Sequence, residues 1–202
     1  IINKILEAAV RAPSGDNVQP WEFQVSENFT KISLYNLPEK DDSYYNLNQM
    51  ASYIAHGAVI ENIVIASGHL GCQARVVLFP NEKDQNLVAT IELDRVEVQE
   101  SPFYKAIFER ETNRFQYKRT NVAEDVLDRL VASVKGICEI TISLVHEEDK
   151  IKTISKELMV NDRLVFERKD IHRYLFDKVR WNRKQIESTQ DGMPVDTLGL
   201  SF

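Results

Sequence analysis

Apolar residues Ile2, Ile5, Leu6, Ala9 and Val10 recur at three- and four-residue spacing, which predicts an amphipathic helix at the start of the chain. Pro13-Ser14-Gly15-Asp16-Asn17 carries turn chemistry and ends it. Trp21, Phe23 and Val25 then alternate with Glu22, Gln24 and Ser26, as in a half-buried strand. Ile32 and Leu34 mark a second strand, paired with the first across a turn at Glu27-Asn28. Residues Asn48 to Leu70 read as one long helix, apolar nearly all round through Met50, Ile54, Ala58, Val59, Ile63, Val64 and Ala66. A helix of that kind is buried on most sides. Gly57 and Gly68 permit another backbone to approach, and Gly71 supplies a C-terminal stop.

Arg75 to Phe79 and Val88 to Leu93 predict two further strands joined by a polar loop. Ser101-Pro102 pairs an N-cap with a proline at the first helical position. Val122 to Val134 is amphipathic, Ile137 to Val145 alternates as a strand, and from Glu147 the pattern is helical and highly charged. The order α-β-β-α-β-β-α-α-β-α-α indicates an α+β sandwich with a mainly antiparallel sheet, flanked by helices, around a long buried central helix. One domain spanning 1–202 is expected. The similarity of Asn3–Val10 to Glu124–Val131 leaves open two pseudo-repeats of about 1–100 and 101–202, although two generic amphipathic helices account for it equally well.

Charge narrows the function classes. Lys and Arg total 25 against 31 Asp and Glu, a formal charge of -6. A net acidic chain argues against a nucleic-acid groove, which needs clustered positive charge. Arg180-Trp181-Asn182-Arg183-Lys184 is better explained as a helix surface than as a nucleic-acid contact. Ile54 to Ala66, the longest apolar region, is broken by His56, Gly57, Glu61 and Asn62, so no membrane span is expected. Cys72 and Cys138 make neither a disulfide framework nor a four-ligand zinc site, and read as free thiols in a reducing, cytoplasmic compartment. The four His residues (56, 69, 146 and 172) have no ligand spacing. The chain starts without Met and stops at Leu200-Ser201-Phe202, which leads us to expect a piece of a longer polypeptide.

One segment stands apart. Arg11-Ala12-Pro13-Ser14-Gly15-Asp16-Asn17-Val18-Gln19-Pro20-Trp21-Glu22-Phe23 concentrates Arg, Ser, Asn and Gln, with two prolines that stiffen the backbone. Donors and acceptors fixed in a rigid loop suit a planar polar ligand. A capped turn ahead of a core Trp explains the same residues, and the residues alone leave both readings open.

The segment closely resembles the APSxxNxQPWxF motif of the FMN-dependent nitroreductase family. Gly57-Ala58 with Asn62, Ala66 and Gly68-His69-Leu70-Gly71 resembles that family's long central helix. Arg110-Glu111-Thr112-Asn113-Arg114 followed by Tyr117 is similar to its phosphate motif, and Asp191-Gly192-Met193 to the loop that closes over the flavin. The resemblance implies a nitroreductase-like sandwich that binds FMN between two protomers or two halves of one chain. It implies that Pro13, Ser14 and Asn17 meet the isoalloxazine and ribityl chain, with Arg11 either near the cofactor or bracing the loop, and Gln19 bracing the loop. Arg110, Thr112 and Arg114 are implied as phosphate holders, and Gly192 and Met193 as neighbours of the ring's reactive edge.

The resemblance further implies NAD(P)H and a small organic electron acceptor as partners, and a homodimer or intramolecular pseudo-dimer. Flavin carries the chemistry, so no side chain is nominated as general acid, general base or metal ligand. Two departures matter. The Arg-rich motif follows the Pro13 loop instead of preceding it, as in the diverged branch built of two nitroreductase-like halves or in domains fused to an adenylating enzyme. A basic C-terminal flavin-contacting segment has no match before Phe202. Both keep open a flavin-sequestering or degenerate domain without turnover, or a scaffold whose flavin site has decayed.

Overall fold

The computed structural model describes residues 1–118, 120–135 and 140–199. The chain divides into two compact units, one formed by Ile1–Arg114 with the segment from Tyr174 onward, the other by Phe115–Arg173.

The first unit opens with α1 (Ile2–Ala9), whose Ile5, Ala8 and Ala9 are fully buried. Strands β1 (Trp21–Val25) and β2 (Lys31–Asn36) form the expected antiparallel hairpin, Trp21 opposite Asn36 and Val25 opposite Ile32. Phe29 takes a φ of 56° in its turn. The long helix is α2 (Met50–His69). It buries Ala55, Val59, Ile63 and Ala66 against α1 and the sheet, together with the polar Ser52, His56 and Ser67. Asn62 donates to the Ala8 carbonyl at 3.0 Å and ties α2 to α1. At the C-terminal end Gly71 adopts a φ of 75°, the left-handed conformation that turns the chain into β3 (Cys72–Leu78).

β3 pairs with β4 (Leu87–Arg95), and β4 with β2, giving an antiparallel sheet ordered β1-β2-β4-β3. Ile32 and Leu34 from β2 and Ala89 and Ile91 from β4 are its fully buried residues. The fold is therefore mixed α and β with an antiparallel sheet and helices, but the long helix is not buried on most sides as its composition predicts: one face of α2 packs in the core while Met50, Ile54 and Val64 on another remain exposed. Helix α3 (Pro102–Glu109) starts as the Ser-Pro pair predicts: Ser101 Oγ accepts from Phe103 N at 3.3 Å.

Length and composition alone allow Leu47–His69 to cross a membrane, at a mean hydropathy of 1.2, which revises the expectation that no segment is apolar enough. Its inner face is the core of this unit, and helices of that role meet the same criterion.

The second unit holds α4 (Glu124–Ala132) and α5 (Glu148–Glu167), and none of its described residues is buried. The strand expected over 137–145 does not form among its described residues: 140–145 have no regular structure and no ladder partner. An alternating sequence cannot make a strand without a neighbour to bond. Residues 137–139, with Cys138, lie outside the described residues, as do Leu200-Ser201-Phe202. Helix α6 (Lys169–Asp177) follows α5.

The chain from Tyr174 onward completes the first unit with β5 (Val179–Arg180), α7 (Arg183–Thr189) and β6 (Met193–Pro194), β5 and β6 pairing in parallel. The expected helix surface over Arg180 to Lys184 is helical only from Arg183, because Asn182 caps α7 by accepting from Gln185 N at 3.0 Å.

Candidate functional site

Residues 11–20 connect α1 to β1 and hold an unusual density of left-handed backbone. Asp16, Asn17 and Gln19 have φ of 45°, 56° and 51°. Non-glycine residues seldom adopt such angles, and Asn and Asp tolerate them best. Local bonds hold the loop in this shape. Gln19 N donates to Ser14 Oγ at 3.0 Å, Asn17 N to the Ser14 carbonyl at 3.1 Å, and Trp21 N to the Gln19 carbonyl at 2.8 Å. Below the loop, Val18, Pro20 and Trp21 are buried. The Trp21 ring meets His56 edge-on, with centroids 6.5 Å apart. Both ring nitrogens of His56 face backbone carbonyls, of Ser52 and of Tyr35. Burial pushes its pKa below the ordinary value.

The C-terminal segment closes on the loop from the other side. Asn17 Nδ2 donates to the Gly192 carbonyl at 2.9 Å, and Gly192 N donates back to the Asn17 carbonyl at 3.0 Å. Gln19 Nε2 donates to the Gln190 carbonyl at 2.6 Å. Gly192 cannot be replaced cheaply: at a φ of 74°, a Cβ there would sit 2.5 Å from the Lys178 carbonyl. Met193 is buried, and its N–H donates to the Lys178 carbonyl at 2.9 Å. The Gly192 and Met193 amides are thus both engaged within the chain.

A pocket of about 590 Å³ lies beside this junction. Its polar lining is Glu7, Arg11, Asn17, Gln19, Arg110 and Gln190, so one carboxylate stands among the two cations, and its apolar lining includes Ala12, Ile107 and Phe108. Arg110 Nη2 donates to the Arg11 carbonyl at 3.2 Å, and its Nη1 lies 3.5 Å from Thr112 Oγ1. Four of the ten expected site residues line this pocket, and Thr112 and Gly192 join it through Arg110 and Asn17. Pro13 and Ser14 belong to the loop but not to the lining. Arg114 is exposed, close enough to Asp16 to favour its ionised form. Burial and the neighbouring Asp41 nonetheless raise the Asp16 pKa, and Lys178 joins Arg114 in opposing them.

Sequence patterns did not disclose the ion pair behind the junction. Arg180 Nη2 donates to Asp191 Oδ1 at 2.6 Å, and its Nε reaches Thr189 Oγ1 at 2.9 Å. Burial opposes ionisation of Asp191, but Arg180 and Thr189 outweigh it and hold the carboxyl below its ordinary pKa. No spacing rule links positions 180 and 191 across an intervening helix. Nor does any signal mark Gln190, whose φ of 56° at the end of α7 aims its carbonyl at Gln19.

No protein-family model matches the chain. Among curated proteins it is 33% identical over 90 residues to "Putative NAD(P)H nitroreductase Rv3131" of Mycobacterium tuberculosis, a match covering 45% of this chain and 26% of that protein. It is also 27% identical over 180 residues to "Uncharacterized protein MT1398" of the same species, covering 88% of this chain and 24% of that protein. The matched segments thus span about a quarter of each relative. Among solved structures, it aligns with a "Putative NADH Oxidase" from Clostridium acetobutylicum at a TM-score of 0.40 and 23% identity, over 61% of this chain and 87% of that one. A "putative nitroreductase in complex with fmn" from Desulfovibrio desulfuricans aligns at 0.38 and 18%, over 55% and 84%. Over 45% of its length the chain is thus similar in sequence to a protein named as a putative nitroreductase.

Proposed function

We propose that the chain binds FMN at the pocket beside the Pro13–Trp21 loop and belongs to a cytoplasmic NAD(P)H-dependent oxidoreductase that reduces a small organic acceptor. The observation that carries this reading is the meeting of Arg11, Asn17, Gln19 and Arg110 around one cavity of about 590 Å³, a size suited to a cofactor. The donor set fits the group. Arg11 and Arg110 are cations matched to a phosphate dianion. The amide side chains of Asn17 and Gln19 spend an N–H on the C-terminal segment and keep their oxygens as acceptors for an imide N–H. Ala12, Ile107 and Phe108 supply an apolar wall for a planar ring.

When bound, FMN supplies the hydride chemistry. This chain's residues bind and orient it: the loop is fixed by its own hydrogen bonds before any ligand arrives, so little ordering entropy remains to be lost on binding. The assembly in this reading is a homodimer or an intramolecular pseudo-dimer. Arg114 and Thr112 extend the cationic and hydroxyl donors beyond the pocket rim.

One observation favours a second reading, a flavin-holding domain without productive turnover. Gly192 N–H and Met193 N–H, the donors expected at the ring's reactive edge, are committed to Asn17 and Lys178. Absorbance of the purified protein and FMN titration test binding: flavin bands, with FMN and not FAD released on denaturation, are expected. A protein that is colourless and also takes up no added FMN contradicts both readings. Stopped-flow mixing with NADPH separates them. Reduction at about ten per second or faster supports the oxidoreductase, whereas bound flavin that stays oxidised for minutes supports the holding domain.

A further inference from the structure

A second cavity, of about 440 Å³, lies at the other ends of α1 and β1 from the loop pocket, and the two share no lining residue. Ile1, Ile2 and Leu93 give it apolar walls, and the buried Cys72 adjoins them. Arg95 is its one charged side chain; among the described residues no acidic one lines it.

Strand geometry sets Arg95 apart from its acidic neighbours. Side chains alternate across a sheet, so Arg95 shares the face of Ile91 and Leu93, which packs in the core. Glu92 and Asp94 take the opposite face, where Arg75 holds them at 3.7 and 2.7 Å. The guanidinium therefore stands at the rim of apolar surface, with no carboxylate paired to it among the described residues. A cation so placed matches an anion that carries its own apolar body.

Phe29, on the turn between β1 and β2, is an independent sign. Its φ of 56° is left-handed, a conformation that suits glycine or asparagine and strains a bulky residue. The ring is nonetheless 65% exposed, so packing within the chain does not offset the strain. Asn28 Oδ1 accepts from Ser26 Oγ at 2.7 Å and from Thr30 Oγ1 at 2.8 Å, which fixes the turn and holds the ring at the cavity's edge. Backbone strain retained at an exposed side chain that lines a cavity is the mark of a contact made with something outside the fold.

We propose that this cavity binds an apolar monocarboxylate of medium chain length, with its carboxylate on Arg95 and its chain against Ile1, Ile2, Phe29 and Leu93. The volume suits a small molecule of that kind. A planar guanidinium takes both oxygens of one carboxylate, and the neutral remainder of the lining leaves a second charge unmatched. The site does not depend on the flavin reading.

Equilibrium dialysis of the 202-residue chain against radiolabelled decanoate and decanol is the test. Decanoate should bind about tenfold or more tighter than decanol, the scale of one charged hydrogen bond. Arg95→Gln should abolish that advantage and leave decanol unchanged. Phe29→Gly should weaken both ligands by about fivefold, while its thermal midpoint stays or rises, because glycine takes the turn without strain. Binding lost in that variant is thus not lost with the fold. No decanoate retained at about 1 mM overturns the proposal, as does equal affinity for decanoate and decanol. Binding that survives both substitutions puts the ligand elsewhere and overturns the site. A lower midpoint in Phe29→Gly would show that the ring serves the chain's own packing and would overturn its assignment as a ligand contact.

Discussion

Asn17 and Gly192, 175 positions apart, hold each other by a reciprocal pair of hydrogen bonds, side-chain amide to carbonyl at 2.9 Å and backbone amide to carbonyl at 3.0 Å. The pair fastens the N-terminal loop to the C-terminal segment, with one residue in a left-handed conformation on each side. Both conformations are costly for a residue bearing a Cβ, and Gly192 avoids that cost by having none.

Gly192→Ala is therefore expected to destabilise the chain by about 2–4 kcal/mol, since it adds backbone strain and a Cβ clash with an immovable carbonyl. Urea denaturation followed by circular dichroism reads the effect. A midpoint unchanged from the unsubstituted protein would mean that the C-terminal segment is not held against Asn17 in solution.

Arg110 is positioned by its bond to the Arg11 carbonyl to present a cation at the pocket. Arg110→Ala should weaken FMN binding by about 2–3 kcal/mol, the scale of a charged hydrogen bond, and leave riboflavin, which has no phosphate, nearly unaffected. Equal losses for the two ligands, measured by fluorescence titration, would assign Arg110 to holding the loop and not to the phosphate.

Local chemistry in the sequence accounts for much of the first unit. Ser101-Pro102 marks the start of α3, Gly71 the turn out of α2, and the alternation of Trp21 to Val25 with Ile32 and Leu34 the β1–β2 hairpin. Each signal acts over a few residues. The candidate site is legible in part, because the loop motif is contiguous while its fastening is not. Gly192 is nameable from its motif, yet its bond to Asn17 spans nearly the whole chain. The Arg180–Asp191 pair spans a helix whose start is set by Asn182. The alternation over 137–145 misleads for the converse reason: period two specifies one face of a strand but not a partner strand.

Tyr174 joins two distant segments through its hydroxyl, which donates to Asp41 Oδ1 at 3.3 Å. Burial first, and the Asp41 charge second, push the Tyr174 pKa upward, so the hydroxyl keeps its proton at neutral pH. Tyr174→Phe leaves the buried Asp41 carboxylate short of a donor and should cost about 1–3 kcal/mol of stability. Retained stability in a thermal melt at pH 7 would show that the bond contributes nothing net.

Stability should depend on pH through three groups of opposite sign. Burial lowers the His56 pKa from its ordinary 6.5. The unfolded chain then binds a proton the folded chain resists, and stability falls as pH drops below about 6.5. Asp191, held below its ordinary 3.8 mainly by Arg180 against its own burial, contributes stability above that value and loses it as pH falls further. Asp16 acts the other way. Burial and Asp41 raise its pKa above 3.8, so its contribution is full below 3.8 and is lost as pH rises through the folded value. At pH 7 the Asp16 carboxylate is therefore a destabilising charge. Asp16→Asn removes that charge and keeps a residue suited to a φ of 45°. The variant should be more stable than the unsubstituted protein at pH 7, with the gain shrinking toward zero near pH 3.5. Asp191→Asn should do the reverse, destabilising at pH 7 and losing its effect in acid. Urea midpoints for the three proteins from about pH 2 to pH 8 give both comparisons in one series. An Asp16→Asn gain of equal size at both ends would mean that the carboxylate's ionisation is not what the fold resists.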